Sequence, residues 1–155
     1  MNLKQTTLFH RNGKPKYIGQ VNEKGEYHGK GEEYWFDGTL GYKGDFVNGE
    51  YHGKGERYWF DGTTLRYKGE FVNGKRHGKG EEYREDGITL GYKGDFVNGE
   101  YHGKGERYWR DGKLHYEGGF KDGEYHGKGR LYKGDGITLE YEGEFKDGFP
   151  VNQIH

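Results

Sequence analysis

The sequence predicts an all-β fold, an elongated single-layer antiparallel array of β-hairpin repeats. The first observation is a block that returns every 25 residues, with one step of 24, and that starts at Tyr17, Tyr42, Tyr67, Tyr92, Tyr116 and Tyr141. The second is that side-chain character alternates with a period of two inside each block, and no stretch has a helical period. Self-similarity at a fixed period of this length is typical of supersecondary units that bury their apolar faces against one another.

The second copy of the block shows how the first strand of a unit is expected to form. Tyr42, Gly44 and Phe46 fall on one face of an extended chain, and Lys43 and Asp45 fall on the other. This alternation is typical of a strand that has one face buried and one face in water.

Two turn signals bound the second strand of the same unit. Asn48-Gly49 is a preferred dipeptide for a two-residue hairpin turn. A second strand is predicted over residues 53–60, and Asp61-Gly62 is the next turn. The glycines inside the strands are expected to let a Tyr or Phe ring lie over bare backbone: Gly44, Gly53 and Gly55.

Alignment of the copies divides the chain into seven segments. A partial repeat or cap occupies residues 1–16, and a half repeat or cap occupies residues 141–155. The five repeats between them occupy residues 17–41, 42–66, 67–91, 92–115 and 116–140. Because proline donates no ladder hydrogen bond, we expect Pro150 to block pairing at the edge of the sheet.

Composition excludes several classes of protein. The 25 Lys+Arg balance 26 Asp+Glu to a net charge of -1, so no overall field draws the chain to nucleic acid. Cysteine is absent, which excludes disulfides, thiolate metal sites and cysteine nucleophiles. The sequence shows neither a signal peptide nor a transmembrane stretch, so we expect a soluble, cytoplasmic protein.

Short motifs recur at fixed offsets in the copies, and in the second copy they read Tyr42-Lys43-Gly44-Asp45-Phe46, Asn48-Gly49, His52-Gly53-Lys54-Gly55 and Asp61-Gly62. Together they resemble the MORN (membrane occupation and recognition nexus) repeat, whose pattern is roughly YxGxWxxGxxHGxGxxxxxDG. The resemblance extends over five full copies and partial repeats at both ends, which is nearly the whole chain.

Two features depart from the family pattern. Phenylalanine stands where the family usually has tryptophan, as at Phe46. At a position where the family often has an aromatic residue, this chain has charged residues: Glu33, Arg57, Glu82 and Arg107. The second departure indicates an altered register of the second strand, for which a β-bulge is one cause.

The resemblance implies a twisted, grooved sheet that works as a binding or assembly module. MORN arrays are attached to lipid kinases, membrane-junction proteins and methyltransferases. They were first proposed to bind acidic phospholipids, and later members look more like protein-interaction and dimerisation scaffolds. A related repeat family includes antitoxins. Our main hypothesis is a module for protein–protein interaction, including self-association. Binding to anionic phospholipid is the alternative, and an antitoxin or ligand-sequestering role is the second alternative.

Five histidines recur at one offset: His28, His52, His77, His102 and His126. Equivalent residues in successive hairpins are about 10 Å apart, whereas zinc needs several nitrogens at ~2.0 to 2.1 Å from one ion. We therefore expect each histidine to shape its turn through a backbone hydrogen bond, and we expect no metal and no cofactor. A pH-responsive ladder of histidines is a further possibility.

Serine is also absent, and the Gly-Lys-Gly elements lack the ending of a P-loop, so no enzymatic activity is expected.

Two further sets of residues are candidates for binding. The first is a column of lysines that would meet lipid headgroups at about 1 kcal/mol each: Lys30, Lys54, Lys79, Lys104 and Lys128. Glutamates at neighbouring positions favour an ordinary solvated strand face instead. The second set comprises tryptophans that the third and fifth repeats lack: Trp35, Trp59 and Trp109. They suit anchors for a protein partner, and simple packing on the sheet is the competing interpretation.

Overall fold

The computed structural model describes residues 2–151, which form strands and turns without any helix. The chain divides after Lys75 into two compact units. Unit 1 contains six strands: β1 Lys4–Phe9, β2 Pro15–Val21, β3 Tyr27–Tyr34, β4 Leu40–Val47, β5 Glu50–Tyr58 and β6 Leu65–Val72. Seven strands follow: β7 Lys75–Tyr83, which begins at the boundary, then β8 Leu90–Val97, β9 Glu100–Tyr108, β10 Leu114–Lys121, β11 Glu124–Tyr132, β12 Leu139–Lys146 and β13 Phe149–Pro150.

Within each unit, every strand pairs antiparallel with the next strand along the chain. In unit 1 this holds from β1 to β6, and in unit 2 it holds from β7 to β13. Each unit is thus a single antiparallel sheet built from consecutive hairpins. The predicted all-β hairpin repeat array is confirmed in both units.

The tight turns between the two strands of a hairpin have left-handed backbone at both central residues. Asn48 has φ 50° and Gly49 has φ 89°. Positive φ at both positions is what a type I′ turn requires, and asparagine tolerates it better than other non-glycine residues. The same geometry recurs at Asn73-Gly74, Asn98-Gly99, Asp122-Gly123 and Asp147-Gly148. The predicted turn is therefore confirmed.

The core consists of aromatic rings that pack across strands. Tyr42 is fully buried, and its ring stacks on Tyr51 with the centroids 3.9 Å apart. Phe46 meets the two tyrosines edge-on at 4.9 and 5.6 Å. Phe71 of the following repeat meets the same pair at 5.5 and 5.6 Å, which joins one repeat to the next. Unit 2 repeats this arrangement with Tyr92, Phe96, Tyr101 and Phe120.

Two of the three interior glycines have the predicted role. A Cβ added at Gly55 would lie 2.2 Å from the hydroxyl oxygen of Tyr42, because the ring of Tyr42 lies directly over this backbone. A Cβ at Gly44 would meet the Cα of Gly55 at 2.5 Å and the hydroxyl oxygen of Tyr42 at 2.9 Å. The prediction is wrong for Gly53, which has φ 74° and where an added Cβ would lie 2.8 Å from a carboxylate oxygen of Asp45 rather than against a ring.

The boundaries predicted for the second strand are also wrong. β5 begins at Glu50 and ends at Tyr58, whereas residues 53–60 were expected. Gly44 pairs with Gly55, but Phe46 pairs with Tyr51, so β5 has two extra residues between these pairs. This bulge allows β5 to begin directly after the turn, and it accounts for the unusual backbone of Gly53.

Alkaline pH is expected to unfold the chain through its buried tyrosines. Burial is the main cause that raises the pKa of Tyr17, which reaches about 12. Burial also raises the pKa of Tyr42, Tyr92 and Tyr116. An unfolded tyrosine has a pKa of about 10. The contribution to stability is therefore complete below that value and is lost as the pH rises through the folded-state values. Circular dichroism and tyrosinate absorbance measured together across this range test the expectation. Complete ionisation near pH ~10 with an intact sheet would contradict it.

Candidate binding surfaces

The two predicted tryptophans of unit 1 lie just beyond β3 and β5 and pack on the residue that precedes a core tyrosine. Trp35 lies across Gly41, where an added Cβ would come within 2.8 Å of the indole Nε1. The guanidinium of Arg66 lies 4.7 Å from the centre of the Trp59 ring, in reach of a cation–π interaction. Trp35 is 38% exposed, and Trp59 is half-buried. Both side chains therefore cover the sheet as well as facing solvent.

Unit 2 fills the same place with different side chains. Trp109 stacks on His115 at 3.5 Å, and its Nε1 donates a hydrogen bond to the carbonyl of Lys133. Burial lowers the pKa of His115, and the nearby positive charge of Arg107 lowers it further. In the third repeat Arg84 lies in the tryptophan's place and donates to a backbone carbonyl of the next repeat. The three tryptophans share a packing position, and their role as anchors for a partner stays a prediction.

A set of exposed aromatic residues in unit 1 was missed by the sequence analysis. Phe36 is 51% exposed and Phe60 is 74% exposed. The rings of Trp35 and Phe60 lie 6.1 Å apart, and Phe36 follows Trp35 in the chain with its ring 5.4 Å from that of His10. We term Trp35, Phe36 and Phe60 the edge aromatic cluster. The positions that align with Phe36 and Phe60 in later repeats are Glu85, Arg110 and Gly134. The sequence feature that could have identified this set is that only two copies have phenylalanine at this position.

The predicted lysine column lies on the face opposite the aromatic core, in register with acidic residues. Lys30 forms an ion pair with Asp45, and Lys79 pairs with Asp95 at 2.5 Å. By strand register, Lys54 lies opposite Glu70 and Lys128 lies opposite Glu144. Lys104 alone lies opposite a residue without charge, Gly119. Four of the five lysines therefore have a carboxylate at the paired position of the next strand.

Four of the predicted histidines lie beside a turn of the following repeat. In unit 1 the Nδ1 of His28 accepts a hydrogen bond from the backbone N–H of Asn48 at 3.1 Å, and His52 lies in the same relation to Asn73 at 3.4 Å. In unit 2 the corresponding contacts of His77 and His102 measure 3.5 Å. These contacts join successive hairpins, because each histidine reaches the turn of the next repeat. No such contact is found for His126 among the described residues, and the structural role of the histidines stays a prediction.

The aromatic face also carries charged residues, at the position where the family pattern often has an aromatic residue. The Tyr51 hydroxyl donates to the carboxylate of Glu33, and the guanidinium of Arg57 lies 5.6 Å from the centre of the Tyr51 ring. Unit 2 repeats the arrangement with Tyr101, Glu82 and Arg107, where the guanidinium lies 5.7 Å from the ring. The arginines are half-buried and lie among tyrosines rather than in solvent.

A family model described as MORN repeat matches the chain six times, over residues 17–40, 42–64, 67–89, 92–113, 116–138 and 141–153. These matches cover most of the sequence. The chain belongs to the MORN repeat family. MORN repeats are associated with binding to proteins and membrane lipids, and the family is typically non-catalytic. A search of curated proteins gave no match to this MORN protein.

Two further observations describe the MORN chain outside these candidate surfaces. Within residues 2–151, no three His, Cys, Asp or Glu side chains come together as a metal site. A helix with the length and apolar character needed to cross a membrane is likewise not found in the described part of the chain.

A cavity of about 480 Å³ lies at the hairpin turns of unit 1. Its lining contains no residue predicted to bind a partner and consists of Asn22, Glu23, Lys24, Glu26 and Asn48. Small-molecule sites are mostly apolar with a few polar groups, so this polar cavity does not favour a ligand-sequestering role.

Proposed function

We propose that this MORN protein is a non-catalytic module that mediates protein–protein interaction. The edge aromatic cluster carries the proposal, because Phe36 and Phe60 expose 51% and 74% of their surface. Adjacent exposed apolar side chains mark interaction sites more often than isolated ones do. Aromatic residues are also enriched among the residues that dominate binding energy.

Charged residues of both signs border the edge aromatic cluster and indicate the chemistry of the partner. The guanidinium of Arg11 lies 6.0 Å from the centre of the Phe36 ring, and Arg66 lies over Trp59. Asp37 and Asp61 in the adjacent loops accept hydrogen bonds from threonines of their own loops. These hydrogen bonds are the main cause that lowers the pKa of both carboxyl groups. The surface therefore presents exposed rings between charges of both signs, and it suits a protein segment with an apolar side chain flanked by charged residues.

The surroundings of the lysine column favour its interpretation as a solvated strand face over its interpretation as a lipid-binding site. A lysine gains about 1 kcal/mol near an anionic membrane when its charge is available. Here Lys30 and Lys79 are ion-paired, and Lys54 and Lys128 lie opposite carboxylates. The alternating charges leave this face without a continuous positive stripe.

A matched pair of double variants tests the proposed function. Phe36→Ser combined with Phe60→Ser removes the cluster, and Ile88→Ser combined with Ile137→Ser removes apolar side chains that are 82% and 80% exposed in unit 2. A protein captured by the immobilised chain from a lysate of the source organism is purified, and its affinity for each variant is measured by calorimetry. We expect the phenylalanine variant to bind at least tenfold more weakly, which corresponds to about 1.4 kcal/mol. The isoleucine variant should match the wild type, and equal affinity of all three proteins would contradict the proposal.

Co-sedimentation with anionic and neutral vesicles tests the lipid alternative. We expect no binding to anionic vesicles at physiological salt, where exposed charges are screened over about 8 Å. Binding that survives this salt, and that is lost when the five lysines are replaced by glutamine, would favour the lipid function over the protein function.

A further inference from the structure

Arg57 in unit 1 and Arg107 in unit 2 each hold a guanidinium whose Nε has no hydrogen-bond acceptor among residues 2–151. The Nε of each is buried and donates no hydrogen bond. Neither side chain forms an ion pair within residues 2–151. Buried donors are almost always paired in native proteins, so an unpaired Nε in a side chain that also lacks an ion pair calls for an explanation.

The carboxylate nearest in the same row of the sheet is already engaged. Arg57 pairs in register with Tyr42 on one side and with Tyr67 on the other, and both tyrosines are buried. Glu33 lies across Tyr42 in this row and accepts a hydrogen bond from the Tyr51 hydroxyl. The positive charge of Arg57 therefore remains over an aromatic surface without a counter-ion among residues 2–151.

Arg107 has the same surroundings in unit 2. It pairs in register with Tyr92 and Tyr116, which are fully buried. The carboxylate of Glu82, which lies across Tyr92, accepts a hydrogen bond from the hydroxyl of Tyr101. The same arrangement thus occurs in the second and the fourth repeat, so it is not one local irregularity.

The sheet itself does not need arginine at this place. In the fifth repeat the equivalent residue is Leu131, which pairs with Tyr116 on one side and Tyr141 on the other. Leucine thus covers the same kind of tyrosine surface without a charge. A guanidinium at this position adds the cost of partial burial, which the contacts with the rings of Tyr51 and Tyr101 offset only in part.

We propose that Arg57 and Arg107 each bind a carboxylate of an acidic protein segment that lies on the aromatic face. This inference rests on the proposed function, because it specifies the chemistry of the protein partner. The planar guanidinium matches a carboxylate with two parallel hydrogen bonds, and the tyrosine rings beside it provide apolar contact for the rest of the segment. A carboxylate fits better than a phosphate, because each site has one positive charge and a glutamate in the same row.

Peptide binding measured by fluorescence anisotropy tests the inference. The probe is a fluorescein-labelled peptide of alternating Glu and Leu, and the comparison peptides carry Gln or phosphoserine in place of Glu. We expect the Glu peptide to bind at least tenfold more tightly than the Gln peptide. Arg57→Leu and Arg107→Leu should each remove one of two sites, and the double variant should bind at least tenfold more weakly than the wild type.

Two controls separate binding from folding. Arg110→Leu removes an arginine that is 78% exposed and lies 3.7 Å from Glu85, and it should leave peptide binding unchanged. The thermal midpoints of Arg57→Leu and Arg107→Leu should equal or exceed that of the wild type, since Leu131 shows that leucine is accepted. Lower midpoints would assign the arginines a structural role and overturn the inference.

Other outcomes distinguish this inference from the proposed function. Failure of the wild type to bind the Glu peptide, or full binding by the double arginine variant, overturns the carboxylate sites. Tighter binding of the phosphoserine peptide identifies phosphate as the anion and also overturns them. Loss of peptide binding in the arginine variants, with undiminished partner binding in the variant that lacks Phe36 and Phe60, keeps the carboxylate sites and overturns the edge aromatic cluster.

Discussion

Replacement of Phe46 by alanine is expected to lower the free energy of unfolding by about 3 to 5 kcal/mol. Phe46 is 1% exposed and makes edge-on contacts with Tyr42 and Tyr51 of its own hairpin. It also contacts Tyr17 and Tyr27 of the preceding repeat. Loss of the ring would leave a cavity that these tyrosines cannot fill. They are held in place as two stacked pairs, and the hydroxyls of Tyr17, Tyr42 and Tyr51 also donate hydrogen bonds.

Phe60 offers a matched control for Phe46 in the same unit. It is 74% exposed, so Phe60→Ala should change the free energy of unfolding by less than about 0.5 kcal/mol. Denaturant unfolding followed by circular dichroism measures both variants. Equal losses at the two positions would contradict the assignment of Phe46 to the core and Phe60 to the surface.

Gly129→Ala is expected to destabilise the chain by up to about 3 kcal/mol through overpacking. A Cβ at this position would lie 2.2 Å from the hydroxyl oxygen of Tyr116 and 2.5 Å from its Cζ. Tyr116 is fully buried, and its hydroxyl donates to the carbonyl of Gly119 at 2.8 Å. The ring cannot move away without losing this hydrogen bond and its stacking on Tyr125.

Gly134 is the matched control for Gly129. It lies in the loop after β11, where an added Cβ has no atom within 4 Å and the backbone has no left-handed strain. Alanine restricts the unfolded chain more than glycine does, so Gly134→Ala should be neutral or stabilising by up to about 1 kcal/mol. Thermal midpoints of the two variants measure the contrast. A stability loss at Gly134 as large as at Gly129 would show that the effect comes from glycine content rather than from space under the ring.

A feature could be predicted from the sequence where the residues of one short segment determine it. The Asn48-Gly49 turn was predicted correctly because both residues tolerate the positive φ of a hairpin turn. The same reasoning placed strand β5 three residues too late and gave Gly53 the wrong role. The bulge in β5 depends on which residues of β4 it pairs with, and the pairing is not encoded in the local pattern.

The candidate sites show the same limit. The sequence identified the tryptophans as aromatic and irregularly distributed, but it did not show that Trp59 packs against Arg66 or that Phe60 is more exposed than either tryptophan of the unit. It placed the lysines in a column, whereas the strand register placed carboxylates opposite them.

The sequence by itself determined the repeat period, the alternation of the strands, the hairpin turns and the MORN family, because each follows from residue types at fixed short spacings. Only the tertiary structure decided which of two phenylalanines is core and which is surface, as with Phe46 and Phe60. It also decided which charged residues have partners, as with Lys30 and Arg57. These properties depend on neighbours that lie one strand or one repeat away, so they exist only once register and stacking bring those neighbours into contact.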